Sequence, residues 1–206
     1  MKFKTTILIG FAALAAVAVS GFRFASPEIG GPAPAFSLPS ATGKTVNLSD
    51  YKGKYVVLEW TNQGCPFVKK HYGSGNMQAT QKWAADKGVV WLTIISSAPG
   101  EQGYLTGPEG VQLLKEKKMA STALLVDADG KVGHLYGAKT TPHMFIINPK
   151  GELIYQGGMD NKPTTNLDDV PVATNYVKQA LEEAMNGKAV SNPSTRPYGC
   201  SIKYKD

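Results

Sequence analysis

With 206 residues, 42% of them hydrophobic and 18% charged, the chain is long enough for one domain with a proper core. Its net charge of +6 comes from scattered lysines (Lys52, Lys54, Lys69, Lys70, Lys115, Lys117, Lys118, Lys131), a pattern of solvated surface. With no arginine stripe and no aromatic–basic platform, nucleic acid is excluded as an expected partner.

The chain opens Met1-Lys2-Phe3-Lys4, followed by an uncharged stretch from Thr5 to Phe22 with an apolar centre at Ile7 to Val19. A basic start, a short apolar run and small residues near Ala18-Val19-Ser20 read as a signal peptide or N-terminal anchor over residues 1–20. The run is short for a membrane span, which needs about 20 residues. Membrane contact is expected only through this segment, if it stays uncleaved. No cysteine follows the apolar run, so lipidation is not expected. The reading is an exported protein, periplasmic or extracellular, where a disulfide between Cys65 and Cys200 is compatible with the compartment.

Residues 21–35 form a Pro- and Gly-rich lead-in to a domain over 36–188. Phe36-Ser37-Leu38 and Thr45-Val46-Asn47-Leu48 predict a short hairpin around Gly43-Lys44. Tyr55 to Trp60 is apolar, β-branched and aromatic, which predicts a buried strand. A helix is expected from Pro66 to about Asp86, then a second buried strand over Val89–Ile95. A Gly-rich loop follows, with a short helix over Pro108–Lys118, a strand at Leu124–Val126 and a turn at Asp127-Ala128-Asp129-Gly130. Met144–Ile147 and Glu152–Tyr155 flank the hairpin signal Asn148-Pro149-Lys150-Gly151, and Val170–Met185 carries helical spacing. The tail 189–206, which holds Cys200, shows little periodicity and is expected to be extended and flexible.

Cys65 sits between the strand and the helix, with Pro66 behind it. Proline favours the first helical position, so Cys65 falls at or beside the N-cap. Unpaired N–H groups and partial positive charge at a helix start favour a thiolate. The pattern alone fits equally a small buried apolar residue or one half of a structural disulfide.

Several segments together resemble redoxins of the AhpC/TSA and TlpA-like type. Gly31-Pro32-Ala33-Pro34-Ala35-Phe36-Ser37-Leu38-Pro39, Gly43-Lys44 and Leu48 to Lys54 are similar to the opening of these proteins. Tyr136 to Pro142, Phe145-Ile146-Ile147, Gly151 and Tyr155-Gln156-Gly157 resemble their cis-proline and terminal hairpin. Asn62-Gln63-Gly64-Cys65-Pro66-Phe67-Val68-Lys69 and the ending Gly199-Cys200-Ser201-Ile202-Lys203-Tyr204 resemble the peroxiredoxin-like thioredoxin subgroup. The likeness runs over roughly residues 30–206. It implies a thioredoxin fold: an α/β domain with a central mixed sheet flanked by helices, an N-terminal hairpin and an extended tail.

The resemblance implies that Cys65 is the catalytic thiol and Cys200 a distant resolving cysteine, because Val68 stands where a second turn cysteine would be. Thr141 and Pro142 are expected beside the sulfur, and Trp60, Asn62, Gly64 and Pro66 are the expected substrate-binding positions. The peroxide-site pattern is incomplete, with Leu58 at its proline position, Asn62 at its hydroxyl position, and only Arg23 and Arg196 beyond the leader. Three readings follow. The first is an exported thiol–disulfide oxidoreductase acting on a disulfide or thiol protein, with a thiol electron donor. The second is a thiol peroxidase, with peroxide as substrate. The third is a non-enzymatic module stapled by a Cys65–Cys200 disulfide.

No cofactor and no metal is expected. Residue 69 is lysine, so the Cys-x-x-x-Cys of copper-carrying relatives is missing, and Asp127-x-Asp129-Gly130 lacks the later ligands of a calcium loop. His71, six residues past Cys65, falls about 240° further around a helix and should face away from the thiol. His134 is expected to begin a strand, and His143 to lie either near Cys65 or in the core.

Overall fold

The computed structural model describes residues 26–205. The expected leader over residues 1–20 lies outside the described residues.

A short hairpin, β1 (Ser37–Pro39) with β2 (Thr45–Asn47), precedes β3 (Val56–Trp60), and the chain then turns through Cys65 into α1 (Pro66–Gly73). The single expected helix over 66–86 is two. Gly75 takes a left-handed φ of 76°, which ends α1 and starts α2 (Asn76–Asp86) at a new angle. Next come β4 (Val90–Ile95), α3 (Gly107–Glu116), β5 (Ala123–Val126) and α4 (Lys131–Tyr136). α4 corrects the strand expected at His134: the Asp127 carboxylate accepts from the N–H groups of Val132 and Gly133 and so starts a helix there. β6 (Thr140–Thr141), β7 (His143–Ile147) and β8 (Leu153–Gly157) follow. The helix expected from Val170 starts later, as α5 (Tyr176–Met185). Pro171 confines the preceding segment to a 3₁₀ turn, and the Asn175 side chain caps α5 by accepting from the Lys178 N–H.

The central sheet is mixed, in the order β5-β4-β3-β7-β8; β3, β4 and β5 run parallel, and β7 and β8 antiparallel to their neighbours. This is the thioredoxin arrangement. Successive β3 residues point to opposite faces, as a pleated strand requires. Val56, Leu58 and Trp60 enter a core layer with Phe36, Leu92, Tyr136 and Phe145. Val57 enters the opposite layer with Cys65, Val68, Tyr72, Met77, Trp91, Met144 and Leu181, so α1, α2 and α5 cover that face.

The tail is not the loose extension expected from its composition. Tyr155 meets Thr195 through their hydroxyls at 2.7 Å, and Tyr198 packs edge-on against Phe67 at 5.8 Å. Cys200–Ser201 then forms β9, antiparallel to β6, and Ile202 is buried in the first core layer. Tyr204 stacks on His134 at 4.0 Å and donates its hydroxyl to the Ala138 carbonyl. Earlier in the tail, Pro193–Thr195 runs along β8. The Gln156 N–H donates to Pro193 and the Thr195 N–H to Gln156, each at 3.0 Å. Contacts on both sides therefore hold Cys200 in place.

Candidate active site

Cys65 is the N-cap of α1, with Pro66 at the first helical position, and its backbone N–H donates to Asn62 at 2.9 Å. It has no solvent-exposed surface. Its thiol donates to the Thr141 carbonyl at 3.1 Å, and Thr141 is joined to Pro142 by a cis peptide bond. Across the β6–β9 pair, Thr141 is the register partner of Cys200, whose side chain is only partly buried and packs against the same core layer as Cys65. Both cysteines are free thiols, brought together from 135 positions apart in sequence by the docking of the tail.

The electrostatics divide the two sulfurs. Burial opposes a charge on Cys65, but hydrogen bonds outweigh it: from the Cys200 thiol, from the Val68 and Cys200 backbone N–H groups, and from the Thr141 hydroxyl. The net effect holds Cys65 below the ordinary thiol range. Cys200 goes the other way, pushed up to about 11 by burial and by the hydrogen bond and charge of Cys65. One thiolate is thus favoured at Cys65, with a protonated neighbour pointing at it.

The remaining expected site residues fall into two groups. Thr141 meets the thiol through its carbonyl, Pro142 follows it across the cis bond, and Gly64 and Pro66 flank Cys65 in the chain. Asn62 is fully buried and acts as a brace, its side-chain Oδ1 accepting from the Gly64 N–H at 2.8 Å and its side-chain Nδ2 donating to the Gln102 carbonyl at 3.0 Å. Trp60 is also fully buried, but in the opposite core layer, where it packs on Phe145 at 5.1 Å and donates its indole N–H to Ser96. Neither Trp60 nor Asn62, both expected at the substrate-binding face, has an exposed side chain. His143 is buried against Phe145 at 4.5 Å and accepts from the Lys139 N–H at 3.2 Å.

Two buried polar clusters behind the thiol escaped the sequence reading. Glu59, on the Cys65 face of β3, accepts from the Tyr72 hydroxyl (2.8 Å), Gln81 amide (3.1 Å), Trp91 indole (2.7 Å) and Thr93 hydroxyl (3.2 Å). Burial still raises its carboxyl above the usual range, against the lowering effect of those donors. The signal for Glu59 was present: one acid inside an otherwise apolar strand needs partners. The second cluster joins α1 to the tail. Lys70, fully enclosed, donates to the Lys162 carbonyl at 2.7 Å and lies 3.6 Å from Asp160. Tyr198 donates to Asp160, and its oxygen lies 3.1 Å from the His71 ring nitrogen. No local pattern announced this cluster, because its members are up to 128 positions apart.

Known proteins share this architecture. Over 125 residues the chain is 29% identical to the thiol-disulfide oxidoreductase ResA of Bacillus subtilis, covering 61% of this chain and 64% of ResA. Over 118 residues it is 31% identical to the peroxiredoxin Bcp of the same organism, covering 53% and 63%. The chain therefore spans just under two thirds of the length of each curated relative. The crystal structure of an uncharacterised conserved protein from Geobacillus kaustophilus superposes with a TM-score of 0.77 at 26% identity, covering 86% of this chain and 93% of that one. The AhpC/TSA family profile matches residues 29–156, over half of the chain, and the chain belongs to the AhpC/TSA family, with the thioredoxin-like fold of the redoxins.

Proposed function

We propose that this chain is an exported thiol–disulfide oxidoreductase whose working couple is Cys65 and Cys200. The observation that carries the reading is that Thr141 places both sulfurs: its carbonyl accepts the Cys65 thiol at 3.1 Å, and it is the register partner of Cys200 across the β6–β9 pair. Exchange requires a thiolate, a leaving thiol and a partner sulfur, and the site supplies the first two. Cys65 supplies the reactive thiolate of the couple. One cysteine opens a substrate disulfide and releases a first thiolate, and the other displaces the second substrate thiolate as the Cys65–Cys200 disulfide closes. Both released thiolates take up protons. Two electrons from an external thiol donor then restore the pair. Thr141 and Pro142 hold the sulfur from one side, while Asn62, Gly64 and Pro66 fix the turn from the other. Export rests on the basic–apolar start of the chain, and fractionation of cells expressing it tests that directly.

The deciding experiment is the reduction potential of the couple in glutathione buffers, read by alkylation and mass spectrometry. A value between about −120 and −270 mV is expected of a working exchange couple. A value below about −300 mV marks a structural staple and sinks the reading.

The likeness to Bcp favours one competitor, a thiol peroxidase built on the same two cysteines. That reading requires peroxide to reach a sulfur with no exposed surface, without the hydroxyl residue of the peroxide-site pattern. Peroxide consumption no faster than that of free cysteine excludes it.

A further inference from the structure

Resting on the exchange reading above, a further question is which sulfur meets the outside partner. The β9 strand answers it by position. Thr140–Thr141 forms a short edge beside the thiol, the kind of edge that an incoming extended peptide would extend by strand addition. In this chain the edge is already filled by Cys200–Ser201. The occupant also places a cysteine opposite Thr141, as a bound substrate would. Anchors lie on both sides of it: Tyr198 with Asp160 before, and Ile202 and Tyr204 after. Under this cover Cys65 has no exposed surface, whereas Cys200 is partly exposed. An open groove of about 570 Å³ runs beside it, lined by Phe67, Thr140, Arg196, Tyr198 and Gly199. Grooves of this size hold small ligands.

We propose that the tail strand is a built-in substrate mimic, so that external thiols exchange with Cys200 while Cys65 reacts only with Cys200. In the oxidised protein an incoming thiolate RS⁻ attacks the Cys200 sulfur. The bond to Cys65 breaks and its electron pair leaves on Cys65, which the backbone N–H groups of Val68 and Cys200 stabilise by hydrogen bonds. A second RS⁻ attacks the outer sulfur of the R–S–Cys200 mixed disulfide, forming R–S–S–R and leaving Cys200 as a thiolate that takes up a proton. Two external thiols are oxidised and the protein disulfide is reduced. In reverse, Cys200 takes the substrate sulfur first and Cys65 displaces it.

Single-cysteine variants read this order with glutathione disulfide as the probe. In Cys65→Ser only Cys200 can be modified, and in Cys200→Ser only Cys65, with serine keeping the tail strand in register. Each rate of adduct formation is followed by mass spectrometry and divided by the thiolate fraction from that variant's own titration. Cys200 is expected to react at least about tenfold faster per thiolate, the thiolate being the reacting species in exchange. Adding Gly199→Ala to Cys200→Ser should raise the Cys65 rate. A Cβ at Gly199 would lie 2.0 Å from the Thr141 carbonyl oxygen and force the strand off its edge. Equal or faster reaction at Cys65 with the tail in place overturns the proposal and leaves the couple standing. Failure of the unmodified protein to join Cys65 and Cys200 in the same buffers overturns both.

Discussion

Thr141 faces Cys200 across the β6–β9 pair, and the carbonyl of that same Thr141 accepts the thiol of Cys65. One backbone residue therefore sets the position of both sulfurs. The arrangement makes the acidity of Cys65 depend on its neighbour rather than on the helix start alone. The expected consequence of Cys200→Ser is not simply a lost partner. A hydroxyl is a different donor to sulfur and cannot join in redox chemistry, while Cys200→Ala removes the donor altogether. A hydrogen bond to a charged group is worth about 1.5–3 kcal/mol, so Cys200→Ala should raise the Cys65 pKa. Ultraviolet thiolate absorbance against pH measures it; an unchanged titration would show that the Cys200 thiol does not stabilise the charge.

Asn62 braces the turn from the side away from the tail. Asn62→Ala removes the acceptor of the Gly64 N–H and the donor to Gln102. A loss of about 1–3 kcal/mol in urea unfolding is expected from the unpaired groups, together with faster alkylation of Cys65. Unaltered alkylation with reduced stability would make Asn62 a purely structural residue.

Glu59 and its four donors give a pH dependence with a definite sign. Its carboxyl is raised in the folded chain, so the folded state holds a proton that the unfolded state releases. Stability should fall as pH rises from the ordinary carboxylate range, about 4, up through the raised folded value. Glu59→Gln should flatten this fall, because its amide oxygen can still accept from Gln81, Trp91 and Thr93. Glu59→Leu strands those donors and the Tyr72 hydroxyl in the core and should cost several times about 1–3 kcal/mol. Urea midpoints across the pH range decide between these outcomes.

The buried histidines act at the other end of the scale. Burial lowers His71 to about 4, with Asp160 opposing and Lys70 reinforcing the shift. Burial, with help from Lys139, lowers His143 to about 3. The unfolded chain binds these protons from about pH 6.5 downward, before the folded chain does, so stability should drop on acidification from about 6.5 towards 3–4. His71→Gln should remove part of that slope above pH 4 while His143 still supplies the rest. An unchanged acid limb would show that His71 does not titrate within the fold.

What the sequence revealed follows from how local each signal is. β3, β4 and β7 are apolar runs, and the Cys65-Pro66 step is a helix start, so each is legible within a few residues. Pro171 and Asn175 shortened the last helix through a ring and a cap that hydrophobic spacing does not weigh. Gly75 divided α1 from α2 because an isolated glycine in a helical run does not reveal its left-handed conformation until the chain is folded. The docking of Cys200 and the Lys70–Asp160–Tyr198 cluster were out of reach, because they depend on where a polar, proline-containing tail lies on the folded surface. Trp60 enters the other core layer for a simpler reason: adjacent strand residues point to opposite faces, and Trp60 lies one step out of phase with the Cys65 side.

The strip of tail along β8 has a consequence of a different kind. The N–H of Gln156 and its carbonyl, both taken up by Pro193 and Thr195, would otherwise form part of an open sheet margin, the sort of margin that recruits other chains. The same polypeptide that carries the second cysteine thus also covers part of that sheet margin. A chain cut before Ala189 should clump as well as lose its redox partner, and its inactivity would reveal nothing about sulfur chemistry. Point substitutions at Cys200 or Gly199, which leave Pro193–Thr195 along β8, separate solubility from chemistry.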